Sequence, residues 1–130
     1  MHESAMAGYL ATVLICDDEP SLRELIRISL AGGPYRFVEA DDGEQSLELA
    51  RQVRPDVVIL DVMMPRRSGM EVLSALRQEE EFAQTPVIVL TAQPATREQA
   101  LHEGADIVMV KPFEPGQIAA AVEEVLGDRA

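Results

Sequence analysis

The chain has 130 residues, enough for one compact domain, and its 23 acidic and 11 basic residues give a formal net charge of −12 at pH 7. This charge disfavours direct nucleic-acid binding, because phosphates repel a polyanion. The apolar content of 47% is too high for a disordered acidic chain. The single cysteine, Cys16, excludes an internal disulfide, and no apolar run reaches the ~20 residues of a membrane span. We therefore expect a cytoplasmic domain that binds neither nucleic acid nor membrane.

Short apolar runs alternate with amphipathic stretches along the chain. The apolar runs predict strands buried on both faces, at residues 12–16, 35–40, 56–61, 86–91 and 107–110. Apolar side chains at helical spacing predict helices, at residues 20–30, 43–53, 70–77, 95–103 and 117–126. The charged run 79–81 is interpreted as a solvated turn. Strict alternation predicts an α/β fold, a doubly wound five-stranded parallel sheet in a three-layer sandwich.

Polar side chains stand at the carboxyl ends of the predicted strands, the edge at which parallel sheets bind ligands. They are Asp17 and Asp18, Asp41, Asp61, Thr91 and Lys111. Carboxylates gathered at one edge repel each other unless a cation lies among them, and oxygen ligands are typical of Mg²⁺ or Mn²⁺ rather than zinc. A divalent ion beside a carboxylate nucleophile supports formation of an acyl phosphate. Lys111 and Thr91 could then contact the phosphoryl oxygens.

Each of these residues also has an ordinary structural interpretation. Asp18 or Glu19 could cap the first helix ahead of Pro20, and Asp61 could cap the helix that follows it. Thr91 could be a strand-end residue, and Lys111 a solvated one. The combination of all of them at one edge favours a functional site.

Four segments resemble the signatures of the response-regulator receiver domain of two-component signalling. They are residues 16–20 (CDDEP), 61–65 (DVMMP), 90–92 (LTA) and 110–113 (VKPF), and the likeness extends over residues 12–126. The resemblance implies a flavodoxin-like sheet with strand order 2-1-3-4-5. It places the receiver domain at residues 10–127, between a leader (1–9) and a tail (128–130).

The resemblance also implies roles for individual residues. Asp61 would accept a phosphoryl group from a histidine kinase or a histidine phosphotransfer protein. Mg²⁺, or Mn²⁺ in its place, would be bound by the carboxylates of Asp17, Asp18 and Asp61 and by the backbone carbonyl of Met63. Thr91 and Lys111 would bind the phosphoryl group, and the Lys111–Pro112 peptide bond would be cis.

Some positions depart from the family pattern. Val108 stands where receivers often carry an aromatic residue that moves inward on phosphorylation, so switching here must depend on Thr91 and nearby backbone. Met63 and Gln93 occupy positions that tune hydrolysis of the acyl phosphate in the family, and an apolar Met63 predicts slow to moderate self-dephosphorylation. Arg66 and Arg67 are interpreted as solvated surface.

The sequence therefore predicts a phospho-accepting receiver domain that catalyses its own phosphoryl transfer and is not a turnover enzyme on an external substrate. It would signal through the surface of the fourth helix, fifth strand and fifth helix, as a monomer or weak homodimer. Its reader would be an effector protein or an output domain missing from the sequence. Cys16 is interpreted as a small apolar strand residue and His102 as a surface residue.

Two alternatives remain. The first is a pseudo-receiver that acts as a constitutive interaction module, which Val108 supports. The second is a Mg²⁺-dependent phosphatase with an aspartyl nucleophile. Against it, Asp17 and Asp18 are adjacent rather than in an Asp-x-Asp pattern, and no segment is spare for a substrate-selecting cap.

Overall fold

The structure, a computed structural model, describes residues 10–127, so the leader and the tail predicted for residues 1–9 and 128–130 lie outside the described residues. The strands are β1 (Ala11–Cys16), β2 (Tyr35–Ala40), β3 (Val57–Asp61), β4 (Val87–Thr91) and β5 (Ile107–Val110). The helices that alternate with them are α1 (Pro20–Ser29), α2 (Gly43–Val53), α3 (Gly69–Gln78), α4 (Thr96–His102) and α5 (Pro115–Gly127).

The five strands form one parallel sheet in the order β2-β1-β3-β4-β5. This confirms the predicted doubly wound α/β fold and the strand order that the resemblance implied. β1 and β3 lie next to each other at the centre, with Cys16 opposite Leu60, so the residues that follow both strands emerge at the same edge. None of the helices in the described residues is long and apolar enough to cross a membrane.

The sheet has a hydrophobic layer on each face because successive side chains of a strand point in opposite directions. In β3, Val58 and Leu60 pack toward α2 and α3, whereas Val57 and Ile59 pack toward α1 and α5. All four side chains are 1% exposed or less, and full burial of one such side chain contributes about 1.5–3 kcal/mol. This central strand thus holds Asp61 on a rigid support.

The helix N-termini are capped differently from what the sequence alternatives suggested. Ser68 caps α3: its hydroxyl accepts the Glu71 N–H at 3.2 Å, and the Glu71 carboxylate accepts the Ser68 N–H at 3.0 Å. Asp61 is therefore not the cap of α3. Nor does Glu19 cap α1, since it occupies the N-cap position without a side-chain hydrogen bond. Neither Glu19 nor Asp61 therefore serves as a helix cap.

The charged run before β4 is more ordered than the sequence predicted. It contains a short 3-10 turn, Glu80–Phe82, and Phe82 is a core residue with 2% exposure. Glu79 forms an ion pair with Arg51 of α2 at 2.6 Å. A lone aromatic among acidic residues has no periodicity, which is why the sequence pattern did not reveal this part of the core.

Candidate functional site

Three carboxylates converge at the carboxyl ends of β1 and β3. One oxygen from each of Asp17, Asp18 and Asp61 lies within 4.8 Å of the others, and these three residues are called the acidic cluster below. Asp17 is fully buried and Asp61 is 3% exposed, whereas Asp18 faces solvent. The structure thus brings together the three aspartates that the sequence placed at one edge of the sheet.

Asp17 is held by hydrogen bonds at all its polar atoms except one. Its N–H donates to the Ala40 carbonyl at 3.1 Å, its carbonyl accepts from Arg23 Nη1 at 2.6 Å, and its Oδ1 accepts the Glu19 N–H at 2.9 Å. Its Oδ2 is buried and has no hydrogen-bond partner within residues 10–127. Burial, reinforced by the negative charge of Asp61, raises the pKa of Asp17 to about 6.

Lys111 provides the positive charge of the site. Its Nζ lies 2.6 Å from Asp61 Oδ1 and 3.9 Å from Asp17 Oδ2, and its side chain is only 23% exposed, so it is not a solvated surface lysine. Burial raises the pKa of Asp61, and the Lys111 ammonium opposes that shift. The Lys111–Pro112 peptide bond is cis.

Thr91 ends β4 beside the strand that carries Asp61. The residue is 2% exposed, and its Oγ1 accepts the Gln93 N–H at 3.0 Å. Its backbone carbonyl accepts the Lys111 N–H at 2.8 Å. A hydrogen-bonding chain of backbone and side-chain groups therefore joins the loop after β4 to the lysine at the end of β5.

Gly69 is a site residue that the sequence reasoning missed. A Cβ added there would lie 2.1 Å from the Asp61 carbonyl oxygen, and the Gly69 N–H donates to the Val62 carbonyl at 2.8 Å. The first residue of α3 therefore rests directly on the backbone that carries Asp61. The available signal was a glycine in the first helical turn, where its loss of conformational entropy makes it unfavourable unless close approach requires it.

The residues predicted to tune the site differ in exposure. Met63, next to the acidic cluster in sequence, is 73% exposed, and Gln93 is also exposed. Val108 is 6% exposed and pairs with Val89 of β4, so it is part of the core on the α4 side. Its carbonyl lies 3.4 Å from Arg97 Nη1 of α4.

The arginines of the β3–α3 loop face another element. Arg66 pairs with Asp42 at 3.0 Å and Arg67 pairs with Glu44 at 3.1 Å, both at the start of α2. Their charges are therefore engaged by α2 rather than by the acidic cluster. The paired arginines join the loop that follows Asp61 to its neighbouring helix.

The remaining reactive side chains have ordinary environments. Cys16 is buried, and burial raises the pKa of its thiol to about 12, which keeps it protonated and unreactive. His102 is exposed at the end of α4. The chemistry of this edge therefore depends on carboxylates, one hydroxyl and one ammonium.

The acidic cluster fits a divalent cation. A buried carboxylate oxygen without a partner is unfavourable, and Asp17 Oδ2 is such an oxygen. Carboxylate oxygens are the ligands that Mg²⁺ and Mn²⁺ prefer, and Mg²⁺ usually keeps several waters, as a site open on the Asp18 side allows. The donor set and the unpartnered oxygen both point to that class of ion.

Comparison with known proteins identifies a family for this fold and site. The sequence matches the family model of the response regulator receiver domain over residues 13–123. Among solved structures, the chemotaxis response regulator CheY4 of Vibrio cholerae is similar with a TM-score of 0.84 and 33% identity, over 91% of this chain and 100% of that chain.

Curated relatives are longer proteins. A probable transcriptional regulator, ycf27, of Guillardia theta is 43% identical over 116 residues, which cover 88% of this chain and 44% of that protein. The alkaline phosphatase synthesis transcriptional regulatory protein PhoP of Bacillus subtilis is 37% identical over 116 residues, which cover 88% of this chain and 48% of that protein. The chain thus spans about half the length of these relatives.

Proposed function

The chain belongs to the response regulator receiver domain family, and from this premise we propose that it is a phosphorylation switch with Asp61 as its phospho-acceptor. The observation that carries the proposal is the placement of Asp61. Its buried carboxylate lies 2.6 Å from the Lys111 ammonium. It also belongs to the same acidic cluster as Asp17, whose buried Oδ2 has no hydrogen-bond partner within residues 10–127. A carboxylate that attacks an anionic phosphoryl donor needs positive charge beside it. Lys111 supplies one such charge, and a cation held by the acidic cluster would supply another.

The acidic cluster and the backbone carbonyl of Met63 would hold Mg²⁺, with Mn²⁺ as a substitute. When bound, the ion offsets the carboxylate charges and those of the transferred phosphoryl group. Lys111 keeps Asp61 ionised and oriented, so that a carboxylate oxygen attacks phosphorus as the bond to the donor breaks. The donor would be the phosphohistidine of a kinase or phosphotransfer protein, or a small acyl phosphate.

Thr91 and Lys111 would then bind the phosphoryl oxygens. To do so, the Thr91 hydroxyl must exchange its present contact with the backbone of Gln93 for the phosphoryl group, which moves the start of the β4–α4 loop. Val108 is a buried β-branched residue with no ring to reorient, so we propose that switching proceeds through Thr91 and this backbone. The change would shift a pre-existing equilibrium on the α4–β5–α5 face, where partners read it.

Hydrolysis of the acyl phosphate would set the lifetime of the signal. The exposed Met63 and Gln93 would control the access of water to the acyl phosphate, and the apolar Met63 favours slow to moderate hydrolysis. The chain would thus catalyse its own phosphorylation and dephosphorylation, not turnover of an external substrate.

The partners follow from the same proposal. A histidine kinase or histidine phosphotransfer protein supplies the phosphoryl group, and an effector protein or linked output domain reads it. Because curated relatives named as transcriptional regulators are about twice as long, a linked output domain is one arrangement they support. We propose a cytoplasmic location and a monomer or weak homodimer.

The experiment is treatment with acetyl phosphate and Mg²⁺, followed by intact mass measurement. The wild-type chain should gain one phosphoryl group and Asp61→Asn should gain none. Asp41→Asn is the matched control, because Asp41 is an exposed carboxylate that follows β2 at the same edge but lies outside the acidic cluster, and it should be phosphorylated normally.

Other outcomes would contradict the proposal. A mass gain that persists in Asp61→Asn would remove Asp61 from its role. No gain in the wild type would favour the constitutive pseudo-receiver. Continuous release of phosphate from a small phosphoester would favour the phosphatase, for which the adjacent Asp17 and Asp18 are the wrong spacing.

A further inference from the structure

We propose that Arg23 is a positioning residue for the metal-binding end of β1, an inference that rests on the proposed function. Arg23 lies in α1 with its side chain 17% exposed. Its Nη1 donates to the backbone carbonyl of Asp17 at 2.6 Å. That carbonyl belongs to the peptide group between Asp17 and Asp18, so one guanidinium fixes the link between two of the three carboxylates of the acidic cluster.

The guanidinium is itself held from a second side. Its Nε donates to Glu39 Oε1 at 2.8 Å, and Glu39 lies in β2 opposite Ile15 of β1. The other oxygen of the same carboxylate accepts from Arg27, one turn further along α1, at 2.5 Å. Arg23 is therefore fixed between a helix and a strand, and the planar, multidentate guanidinium group suits that bridging role.

The bond to the carbonyl completes the restraint of Asp17. With its N–H, carbonyl and Oδ1 all engaged, Asp17 has one polar atom without a hydrogen bond, and that atom is the buried Oδ2 of the site. Without Arg23, the carbonyl of the peptide after Asp17 would lose its hydrogen bond. A rotation of that peptide would move the carboxylates on both sides of it. Groups that orient metal ligands in this way typically change metal affinity by about 10–100-fold when they are mutated.

The position and the charge of the Arg23 guanidinium have opposite effects on the affinity of the acidic cluster for a divalent cation. A guanidinium near the acidic cluster repels a divalent cation, so loss of its charge alone would tighten metal binding. Loss of its hydrogen bond to Asp17 would weaken binding, because the ligand oxygens would no longer be preorganised. We expect the second effect to dominate.

The test is a titration of the full metal-free chain with Mn²⁺, with the free ion followed by electron paramagnetic resonance. Arg23→Gln should bind Mn²⁺ about tenfold more weakly than the wild type. Arg27→Gln is the matched control. Arg27 lies in the same helix, carries the same charge and pairs with the same carboxylate of Glu39, but it does not bond to the Asp17 carbonyl, which accepts from Arg23. Its affinity should stay within about twofold of the wild type, because a partly exposed charge is screened by salt.

A second readout separates positioning from general loss of stability. In the metal-free protein, the ¹³C carbonyl resonance of Asp17 should shift in Arg23→Gln and stay unchanged in Arg27→Gln. Arg23→Lys retains one donor for the carbonyl but cannot also hold Glu39 in the same geometry, so its Mn²⁺ affinity should be intermediate.

The Mn²⁺ affinities distinguish failure of this inference from failure of the proposed function. Equal or tighter Mn²⁺ binding by folded Arg23→Gln would overturn the inference alone, whereas a wild-type chain that binds no Mn²⁺ would overturn the proposed function with it. If circular dichroism shows Arg23→Gln unfolded, Glu39→Gln decides, since it keeps the guanidinium and removes its tether. Weaker Mn²⁺ binding by that variant with a shifted Asp17 carbonyl supports the inference, and unchanged values overturn it.

Discussion

Lys111 places its Nζ 2.6 Å from Asp61 Oδ1, and it is the only lysine in the 130-residue sequence. Every other side-chain cation, apart from any protonated histidine, is an arginine. An ammonium is a compact charge on a flexible stem, so it can follow an oxygen of changing position, whereas a guanidinium has fixed planar geometry. The one lysine of the sequence therefore lies beside the buried carboxylate of Asp61.

Removal of that charge is the first prediction. Lys111→Gln should lower the free energy of unfolding by about 1–3 kcal/mol near pH 8 without metal, because the buried Asp61 carboxylate would lose its cation. The loss should shrink on acidification, as Asp61 becomes protonated. Urea unfolding at both pH values measures it. Arg51→Gln, which breaks the exposed pair with Glu79, is the control and should cost much less, because an exposed ion pair is screened by solvent. Equal losses in the two variants would contradict the prediction.

The second prediction concerns the pH dependence of stability in the metal-free protein. Burial raises the pKa of Asp17 from 3.8 to about 6, so the folded state holds this proton more tightly than the unfolded state does. The contribution of Asp17 is therefore most favourable below about pH 4 and is lost as pH rises to about 6. Asp17→Asn should remove this loss, and its stability advantage over wild type should grow from near zero to at most about 3 kcal/mol across that range.

Denaturant unfolding in the presence of a chelator, at pH values from about 4 to about 8, tests the sign. Asp18→Asn serves as the comparison because Asp18 is exposed, and its stability should stay within about 0.5 kcal/mol of the wild type. An Asp17→Asn variant that is less stable than the wild type at neutral pH would refute the assignment of Asp17 as a buried carboxylate whose ionisation opposes folding.

The third prediction is that protons and metal compete for the acidic cluster. Since Asp17 has a pKa of about 6 without metal, Mn²⁺ affinity should be nearly constant above about pH 7 and fall up to about tenfold per pH unit below pH 6. Titration of Mn²⁺ at a series of pH values gives the profile. Affinity that is unchanged down to about pH 5 would mean that Asp17 is not a ligand.

The sequence predicted the sheet and its acidic edge for a physical reason. Strands buried on both faces must be apolar throughout, so runs such as the one before Asp61 are visible without any structure, and the parallel topology then fixes which ends meet. The carboxylates, Thr91 and Lys111 therefore converged as the strand ends implied. The residues that position them were less visible. Arg23 looks like any surface arginine of an amphipathic helix until Asp17 and Glu39 are placed in space.

The hydrophobic pattern of the sequence also did not predict helix caps or isolated core residues. Ser68 lies just before the helix predicted for residues 70–77, although its spacing from Glu71 is that of a capping box. Phe82 is buried because the 3-10 turn redirects one side chain of an acidic segment into the core. Such features depend on local hydrogen bonds between a few residues, which average periodicity does not report.

Gly69 gives the fourth prediction. Gly69→Ala should lower stability by about 1–3 kcal/mol, because the added Cβ would overlap the Asp61 carbonyl and force the backbone apart. Acetyl phosphate should also modify the variant more slowly. Gly116→Ala is the matched control: Gly116 lies in the first turn of α5 with nothing within 4 Å of an added Cβ, so the variant should be neutral or slightly more stable. Similar losses in both would show that the contact at Asp61 is unimportant.

The last prediction separates phosphorylation from switching, and it rests on the proposed function. Thr91→Val keeps the size and β-branching of a residue that is 2% exposed but removes the hydroxyl that contacts the backbone of Gln93. It should therefore gain a phosphoryl group as the wild type does, while amide resonances of α4 and β5 shift much less on phosphorylation. Thr91→Ser, which keeps the hydroxyl, should retain most of the shift. Because Val108 has no ring to act in place of the hydroxyl, a full response in Thr91→Val would mean that the signal leaves Asp61 by a route that does not include Thr91.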